Sequence, residues 1–408
     1  MRRERLRKRG SGIIFKAKER SLKLIHLSDL HLGKKVNRLS MQKDQEHLLM
    51  GQVLDILDEE KPDGLIIAGD IYDSTNATKD AMDLMSRFLT EVSERKVPVF
   101  IVSGNHDSEV FVSFGESFFE RGGVYISPQF NGKLKSVTLR DKHGEVVITL
   151  MPYLSPALVR RHFSGETVES YTDAVRVTLE HNSVDRSKRN VLVAHQFITN
   201  SEKGGSETVS VGGSDNVEAW VFKDFDYVAL GHIHKPQYVG RKPGDPGTGP
   251  VIRYSGSLLK YSFSEAGGAK SATVAELGAK GDVAVRLIPL RPRIDMAEIR
   301  GSFDEVTARS FYEGKAFKDM YLRITLTDDN ETEGLRDRLL RIYPNLMAID
   351  FDNRRTREDL QLEALESLKK LSPLELVGTF FERQQGKKLT DEQREYARKL
   401  LEELEEGR

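Results

Sequence analysis

The sequence predicts an α/β protein with a two-sheet core, a small α+β unit and C-terminal helices. Three observations lead there. Runs of four apolar residues, rich in Val and Ile, recur between Leu24 and Leu230, and such runs suit strands buried on both faces. Helical periodicity separates the first three runs. Beyond Pro292 the pattern restarts, as alternating short strands and helices.

Residues 1–21 form a basic extension, with Arg2, Arg3, Arg5, Arg7, Lys8, Arg9, Lys16, Lys18 and Arg20 against Glu4 and Glu19. Only Ile13, Ile14 and Phe15 follow the charges, short of the apolar stretch of about 7–15 residues that a secretory signal needs. No window approaches the roughly 18 apolar residues of a membrane span. A cytoplasmic protein is expected, its basic arm either solvated or laid against phosphates. Lys plus Arg is 62 and Asp plus Glu is 63, a net charge of −1, which argues against binding nucleic acid by bulk charge alone. The absence of cysteine excludes disulfides, thiolate nucleophiles and Cys-ligated metals.

The core is expected over residues 22–290. Leu24-Ile25-His26-Leu27 leads into Ser28-Asp29-Leu30-His31, and Leu65-Ile66-Ile67-Ala68 into Gly69-Asp70. Val99-Phe100-Ile101-Val102 leads into Ser103-Gly104-Asn105-His106-Asp107. Val191-Leu192-Val193-Ala194 ends on His195, and Tyr227-Val228-Ala229-Leu230 runs into Gly231-His232-Ile233-His234. Helices are predicted over 45–57 and 81–92, which gives one strand and one helix per motif, the size of a βαβ unit. Ligands collect beyond the carboxyl ends of such strands, so the five motifs should converge on one edge of one sheet. Glycines at 204, 205, 212 and 213 mark a long loop, and strands are predicted over 251–254, 272–276 and 284–290.

Residues 291–353 read as the α+β unit: strands over 294–299, 320–326 and 347–351, with helices over 303–311 and 335–343. Residues 354–408 are charged and helical. Leu360, Leu365, Leu368 and Leu371 make one stripe. Ser372, Pro373 and Glu375 cap a helix whose apolar face is Leu376, Val377, Phe380 and Phe381. Thr390 and Gln393 open another. Such faces need the core or a partner to cover them.

Ten histidines are present, and five of them fall at the strand ends, interleaved with Asp29, Asp70 and Asn105. His26, His47, His143, His162 and His181 lie elsewhere and are expected to be ordinary. Asp29, His31, Asp70, Asn105, His195, His232 and His234 are seven candidate ligands, more than one ion needs. Two ions about 3.5–4 Å apart are expected, clamping the attacking and leaving oxygens of a phosphoester. Asp70 is the candidate bridge, because Gly69 lets the backbone approach closely. A water held between the ions would be the nucleophile. An oxygen and nitrogen donor set suits manganese, iron, zinc or cobalt. His106 follows a ligand directly and is the candidate acid or charge stabiliser. Asp107 either orients His106 or caps the helix that follows. Asp73 is expected in a supporting or solvent role. Lys34, Lys35 and Arg38 are candidates for contacts to a phosphate backbone.

These five motifs resemble the signature of the calcineurin-like metallophosphoesterases. Within that superfamily, Ser28-Asp29-Leu30-His31-Leu32-Gly33, Gly231-His232-Ile233-His234-Lys235 and Tyr254-Ser255-Gly256-Ser257 are similar to the SbcD nuclease subunits. The resemblance implies one manganese on Asp29, His31, Asp70 and His234, and a second on Asp70, Asn105, His195 and His232. It implies that His106 is catalytic, and that DNA is cleaved as a 3′→5′ exonuclease and as an endonuclease in repair, recombination and replication. Residues 291–353 would be a capping domain that orients DNA. Residues 354–408 would grip an SbcC-type ATPase through Leu376, Phe380 and Phe381. A homodimer within a heterotetramer is implied, with Phe111, Phe114, Phe118 and Phe119 beside Met82, Met85 and Phe88 as its seam. The location would be cytoplasmic and nucleoid-associated. Archaeal relatives carry histidine where this chain has Asp73.

The alternative is a relative that acts on a small or protein substrate. Protein phosphatases of this fold read Gly-Asp-x-x-Asp-Arg-Gly, whereas Ser74 and Thr75 follow Asp73 here. Small phosphodiesterases end near the core, and this chain continues to residue 408. A decayed scaffold is disfavoured because all seven ligands and His106 are present.

Overall fold

The computed structural model describes residues 19–202, 215–245, 249–328, 334–352, 378, 381 and 388–406. The basic run before residue 19, the glycines at 204, 205, 212 and 213, the 360–371 stripe, Leu376 and Phe380 lie outside the described residues.

Twelve strands build two six-stranded sheets. They are β1 (Leu22–Leu27), β2 (Gly64–Ala68), β3 (Val99–Val102), β4 (Val124–Ile126), β5 (Lys135–Asp141) and β6 (Gly144–Leu150), followed by β7 (Arg189–His195), β8 (Tyr227–Gly231), β9 (Gln237–Val239), β10 (Val251–Tyr254), β11 (Lys270–Leu277) and β12 (Val283–Leu290). The first sheet has the order β12-β11-β1-β2-β3-β4, and the second β9-β10-β8-β7-β6-β5. β1 to β4 run parallel to one another, as do β6, β7, β8 and β10. Their residues are nearly all buried, because each sheet is covered on both faces. Leu24, Ile66, Phe100 and Val102 of the first sheet share one core with Ile148, Val191, Val193 and Tyr227 of the second. The outer face of the second sheet packs Leu192, Val228 and Ile252 against Val175 of the helix Tyr171–His181.

The five motif-bearing strands are β1, β2, β3, β7 and β8, as the sequence predicts. They do not share one sheet, however. β1 to β3 belong to the first sheet, and β7 and β8 to the second. Two strand sets with the same buried, parallel signature are indistinguishable along the chain; only their face-to-face stacking separates them. The helix expected over 45–57 runs from 42 to 60 and includes a π-helical stretch at Leu48–Val53. That expected over 81–92 is Lys79–Glu94, capped by Thr78. The segment after the third motif is two short helices, Glu109–Val112 and Glu116–Phe119, because Gly115 between them takes φ 73°. Phe114 and Phe118 are 79% and 75% exposed there. Met85 and Phe88 differ from the expected seam: both are buried core residues.

At the far end of the sheets, Arg189 ties the two together. Its guanidinium donates to Asp141 at the end of β5, and to the carbonyls of Leu277 (3.2 Å) and Gly278 (2.9 Å) at the end of β11. Asp141 also accepts from the backbone N–H of Leu22 at 2.7 Å. Both members of the pair are buried. Arg189→Leu would leave the Asp141 charge buried and unmatched, and should cost about 3–5 kcal/mol. Denaturant unfolding measures this; a loss within experimental error would show that the pair is not structural. His26, mid-strand in β1, is also structural. Its ring meets the Tyr227 hydroxyl at 2.9 Å and the Leu230 carbonyl at 3.2 Å, and burial lowers its pKa to about 3.

The first compact unit spans residues 1–297 with 319–321, and the second spans 298–318 with 322–408. A three-stranded sheet in the order β13 (Met296–Gly301), β14 (Tyr321–Leu326), β15 (Leu346–Phe351) falls mostly within the second, as does the helix Leu335–Ile342. The helix expected over 303–311 breaks at Ala308, whose backbone is extended, into Phe303–Thr307 and Arg309–Tyr312. Thr390 and Gln393 cap the helix Asp391–Glu406 reciprocally, as their spacing predicts.

Candidate metal centre

Each candidate ligand stands where a strand ends and its backbone turns. Asp29, His31, Asp70 and His232 take φ of 52°, 44°, 48° and 102°, and Gly69 takes 82°. Four side-chain-bearing residues in that disfavoured region signal a backbone held for its function. Backbone bonds hold it. Asp29 N–H donates to the Gly69 carbonyl at 3.1 Å, and His31 N–H to that of Asp70 at 2.9 Å. Glycine is required where the two sheets meet. A Cβ on Gly69 would overlap His195 Nδ1, one on Gly104 the Asp70 carboxylate, and one on Gly231 the Ala68 carbonyl oxygen.

The side chains then converge. Asp70 Oδ2 lies 3.5 Å from His31 Nε2 and 3.4 Å from His195 Nε2, between the two sheets' contributions. His234 Nε2 lies 3.0 Å from His31 Nε2 and 4.0 Å from Asp29 Oδ1. Asn105 Oδ1 lies 3.0 Å from His195 Nε2 and 2.9 Å from His232 Nδ1. Asp29, His31 and His234 form one cation-sized cluster; Asp29, Asp70 and His195 form another. Asp29 Oδ2 and His232 Nε2 are buried without a hydrogen-bond partner. Buried polar atoms are rarely left so unless an ion or water satisfies them, so the residues fit a metal centre.

Residues 22–236 match the calcineurin-like phosphoesterase family. The chain belongs to that family. Residues 292–385 match a second family, SbcD_C, described as a type 5 capsule protein repressor C-terminal domain. The chain is 29% identical over 332 residues to the SbcD subunit of the SbcCD nuclease of Staphylococcus epidermidis, covering 80% of this chain and 85% of that one. Among solved structures, TT1561 of Thermus thermophilus superposes with a TM-score of 0.37 at 9% identity, over 65% of this chain and 99% of that one. A β-glucosidase, BglU of Micrococcus antarcticus, reaches 0.20 at 11% identity over 80% and 83%. Both superpositions are too loose to bear on fold or function. The resemblance to SbcD subunits read from the motifs is borne out by the family matches and the staphylococcal relative.

Charge in the phosphoesterase centre follows from burial. It pushes His31 well below the ordinary histidine range, and burial together with the charge of His195 takes His232 down to about 3. Both rings are therefore neutral, with lone pairs to offer. Burial would also lower His195, but the Asp70 carboxylate reverses this and raises it to about 9. His195 in turn holds Asp70 well below the usual carboxylate range, against its burial. A dication in the centre would take the place of the His195 proton.

The residues around the phosphoesterase ligands differ in part from expectation. Asp107 neither caps a helix nor faces His106. Its carboxylate accepts from the backbone N–H groups of Ile71 (3.1 Å), Tyr72 (3.0 Å) and Gly104 (2.9 Å), and Ser108 is the cap. Burial and the nearby Asp70 charge raise it to about 6. His106 is oriented instead by Asp73: its Nδ1 meets the Asp73 carbonyl at 3.1 Å, and its own N–H donates to Asp70 Oδ1 at 2.9 Å. The Asp73 carboxylate pairs with Lys34 Nζ at 2.6 Å. Lys34 is thus committed to Asp73, whereas Lys35 and Arg38 are exposed.

Some supporting residues carry no sequence signal. Gln45 is buried and donates to the His31 carbonyl at 2.7 Å, and Tyr261 donates to that of Leu30 at 2.5 Å. The Tyr153 ring stacks on His232 at 6.4 Å. Nothing in the local pattern separates these from ordinary helix and loop residues.

Proposed function

We propose that this chain is the nuclease subunit of an SbcCD-type complex. It would hydrolyse phosphodiester bonds of DNA, as 3′→5′ exonuclease and endonuclease, with two divalent ions. The reading rests above all on the convergence of seven ligands and His106, in a chain that also matches the SbcD C-terminal family.

The donors are carboxylate, imidazole and amide, without thiolate, a set that suits manganese, iron, zinc or cobalt, and of these the resemblance to SbcD subunits favours manganese. Asp29, His31, Asp70 and His234 would hold one ion, and Asp70, Asn105, His195 and His232 the other. When bound, the ions supply Lewis-acid charge for the phosphoryl oxygens and lower the pKa of water. The chain's residues do the rest. Asp70 spans the two ligand groups. His106 donates from Nδ1 to the Asp73 carbonyl, which leaves its other ring nitrogen to exchange a proton with the leaving oxygen or steady the developing charge. Asp107 acts at one remove, holding the β2 and β3 loops together through three backbone donors.

Lys35 and Arg38 would contact phosphates, and residues 291–353 would orient the DNA. The exposed Phe114 and Phe118 support a homodimer within a heterotetramer. Phe381, Leu389 and Tyr396 line a shallow groove in the region proposed to dock an SbcC-type ATPase. No helix among the described residues is long and apolar enough to cross a membrane, in keeping with a cytoplasmic, nucleoid-associated enzyme.

The test is an assay with Mn2+ on single-stranded and hairpin DNA beside a chromogenic phosphodiester. DNA cleavage is expected; activity confined to the small ester would favour the small-substrate alternative. Removal of residues 354–408 should abolish co-purification with the ATPase, and equal recovery of a truncated chain would refute the docking role.

A further inference from the structure

Behind His234 lies a buried ion pair that the chemistry above does not use. Glu265 and Lys270 are each 6% exposed. Lys270 Nζ donates to Glu265 Oε2 at 2.6 Å, to the His234 carbonyl at 2.8 Å and to Ser257 Oγ at 2.8 Å. All three ammonium protons thus have acceptors. The other carboxylate oxygen, Glu265 Oε1, lies 3.9 Å from His234 Nδ1. One ion pair therefore holds the backbone of His234 by a hydrogen bond and sets a carboxylate within ion-pair distance of its ring.

Burying two charges is costly, and apolar residues of similar volume often stabilise a core as well or better. The position of this pair suggests what it does instead. His234 directs Nε2 toward the centre, 3.0 Å from His31 Nε2, while its Nδ1 faces Glu265. A carboxylate behind a ligating imidazole keeps the proton on the far nitrogen and the lone pair toward the ion, and losing such a partner typically weakens binding about 10–100-fold.

We propose that Glu265 and Lys270 are positioning residues for His234, fixing the tautomer and aim of its ring as a ligand of the metal centre. Glu265 sets the ring, and Lys270 anchors the His234 carbonyl and balances the carboxylate. This rests on the two-ion reading above.

The test is calorimetric titration of Mn2+ into the full-length parent, Glu265→Leu/Lys270→Met and Glu265→Asp, with melting of each metal-free protein. The double variant removes both charges together. It should bind one Mn2+ as the parent does and the second about 10–100-fold more weakly. Two ions at parental affinity, or equal weakening of both, would overturn the proposal. If the double variant does not fold, Glu265→Asp decides: it keeps the ion pair but withdraws the carboxylate from the ring. One weakened ion is then expected, and two at parental affinity refute the role. A parent that binds no Mn2+ would sink the two-ion reading and this inference with it. A parent that binds two, with variants that do the same, would sink only this inference.

Discussion

Gly231→Ala is expected to abolish DNA cleavage and to destabilise the core by about 3 kcal/mol or more. The added methyl would overlap the Ala68 carbonyl oxygen and come within 2.7 Å of His195 Nδ1. Neither neighbour can yield: Ala68 is a fully buried residue at the end of β2, and its carbonyl meets His195 Nδ1 at 2.8 Å. The substitution therefore forces apart the strands that bring His195 and Asp70 together. Gly51→Ala is the control. Nothing lies within 4 Å of a Cβ there, and alanine in a helix interior should be neutral or stabilising, by about 0.5–1 kcal/mol. Denaturant unfolding and a nuclease assay on both variants separate the two cases. Wild-type stability for Gly231→Ala would mean that the sheets are not so closely apposed.

His106→Ala should lower turnover by about 10²–10⁴-fold while two Mn2+ still bind. The ring is half-buried beside the cluster, its centroid 5.0 Å from that of His31, yet it is held by a carbonyl rather than aimed as a ligand. Turnover and calorimetry on one preparation check this. Loss of an ion along with activity would make His106 a ligand and require a new assignment. Asp73→Ala keeps the backbone carbonyl that orients His106 but removes a carboxylate 3.6 Å from His31 Nδ1, so its effect should fall on metal affinity rather than on the aim of His106.

The strands and the cluster of candidate ligands are legible in the sequence because both rest on short-range rules. A buried parallel strand must be apolar along its length, and a polar residue closing each such run stands out. That logic locates Asp29, Asp70, Asn105 and His195 with no knowledge of pairing. It cannot assign β7 and β8 to a separate sheet, since stacking leaves no local mark on a strand buried on both faces. Asp107 misleads for a related reason. An acidic residue just before a helix has the pattern of a cap, and its three backbone donors come from a loop 35 and 36 residues away and from its own turn. Lys34 reads as free because its partner Asp73 is 39 residues distant. Glu265 and Lys270 leave no trace at all, since charged residues flanking a run of glycines ordinarily face water.

The divided origin of the ligands has a consequence for folding. Asp29, His31, Asp70 and Asn105 come from one sheet, and His195, His232 and His234 from the other. A cation held from both sides would act as a rivet between two halves of the stacked strands, because neither half offers all seven candidate donors by itself. Occupancy would thereby be linked thermodynamically to assembly: each tenfold excess of free cation over its dissociation constant would add roughly 1.4 kcal/mol to the cohesion of the domain. Chelation would loosen the scaffold as well as silence the chemistry.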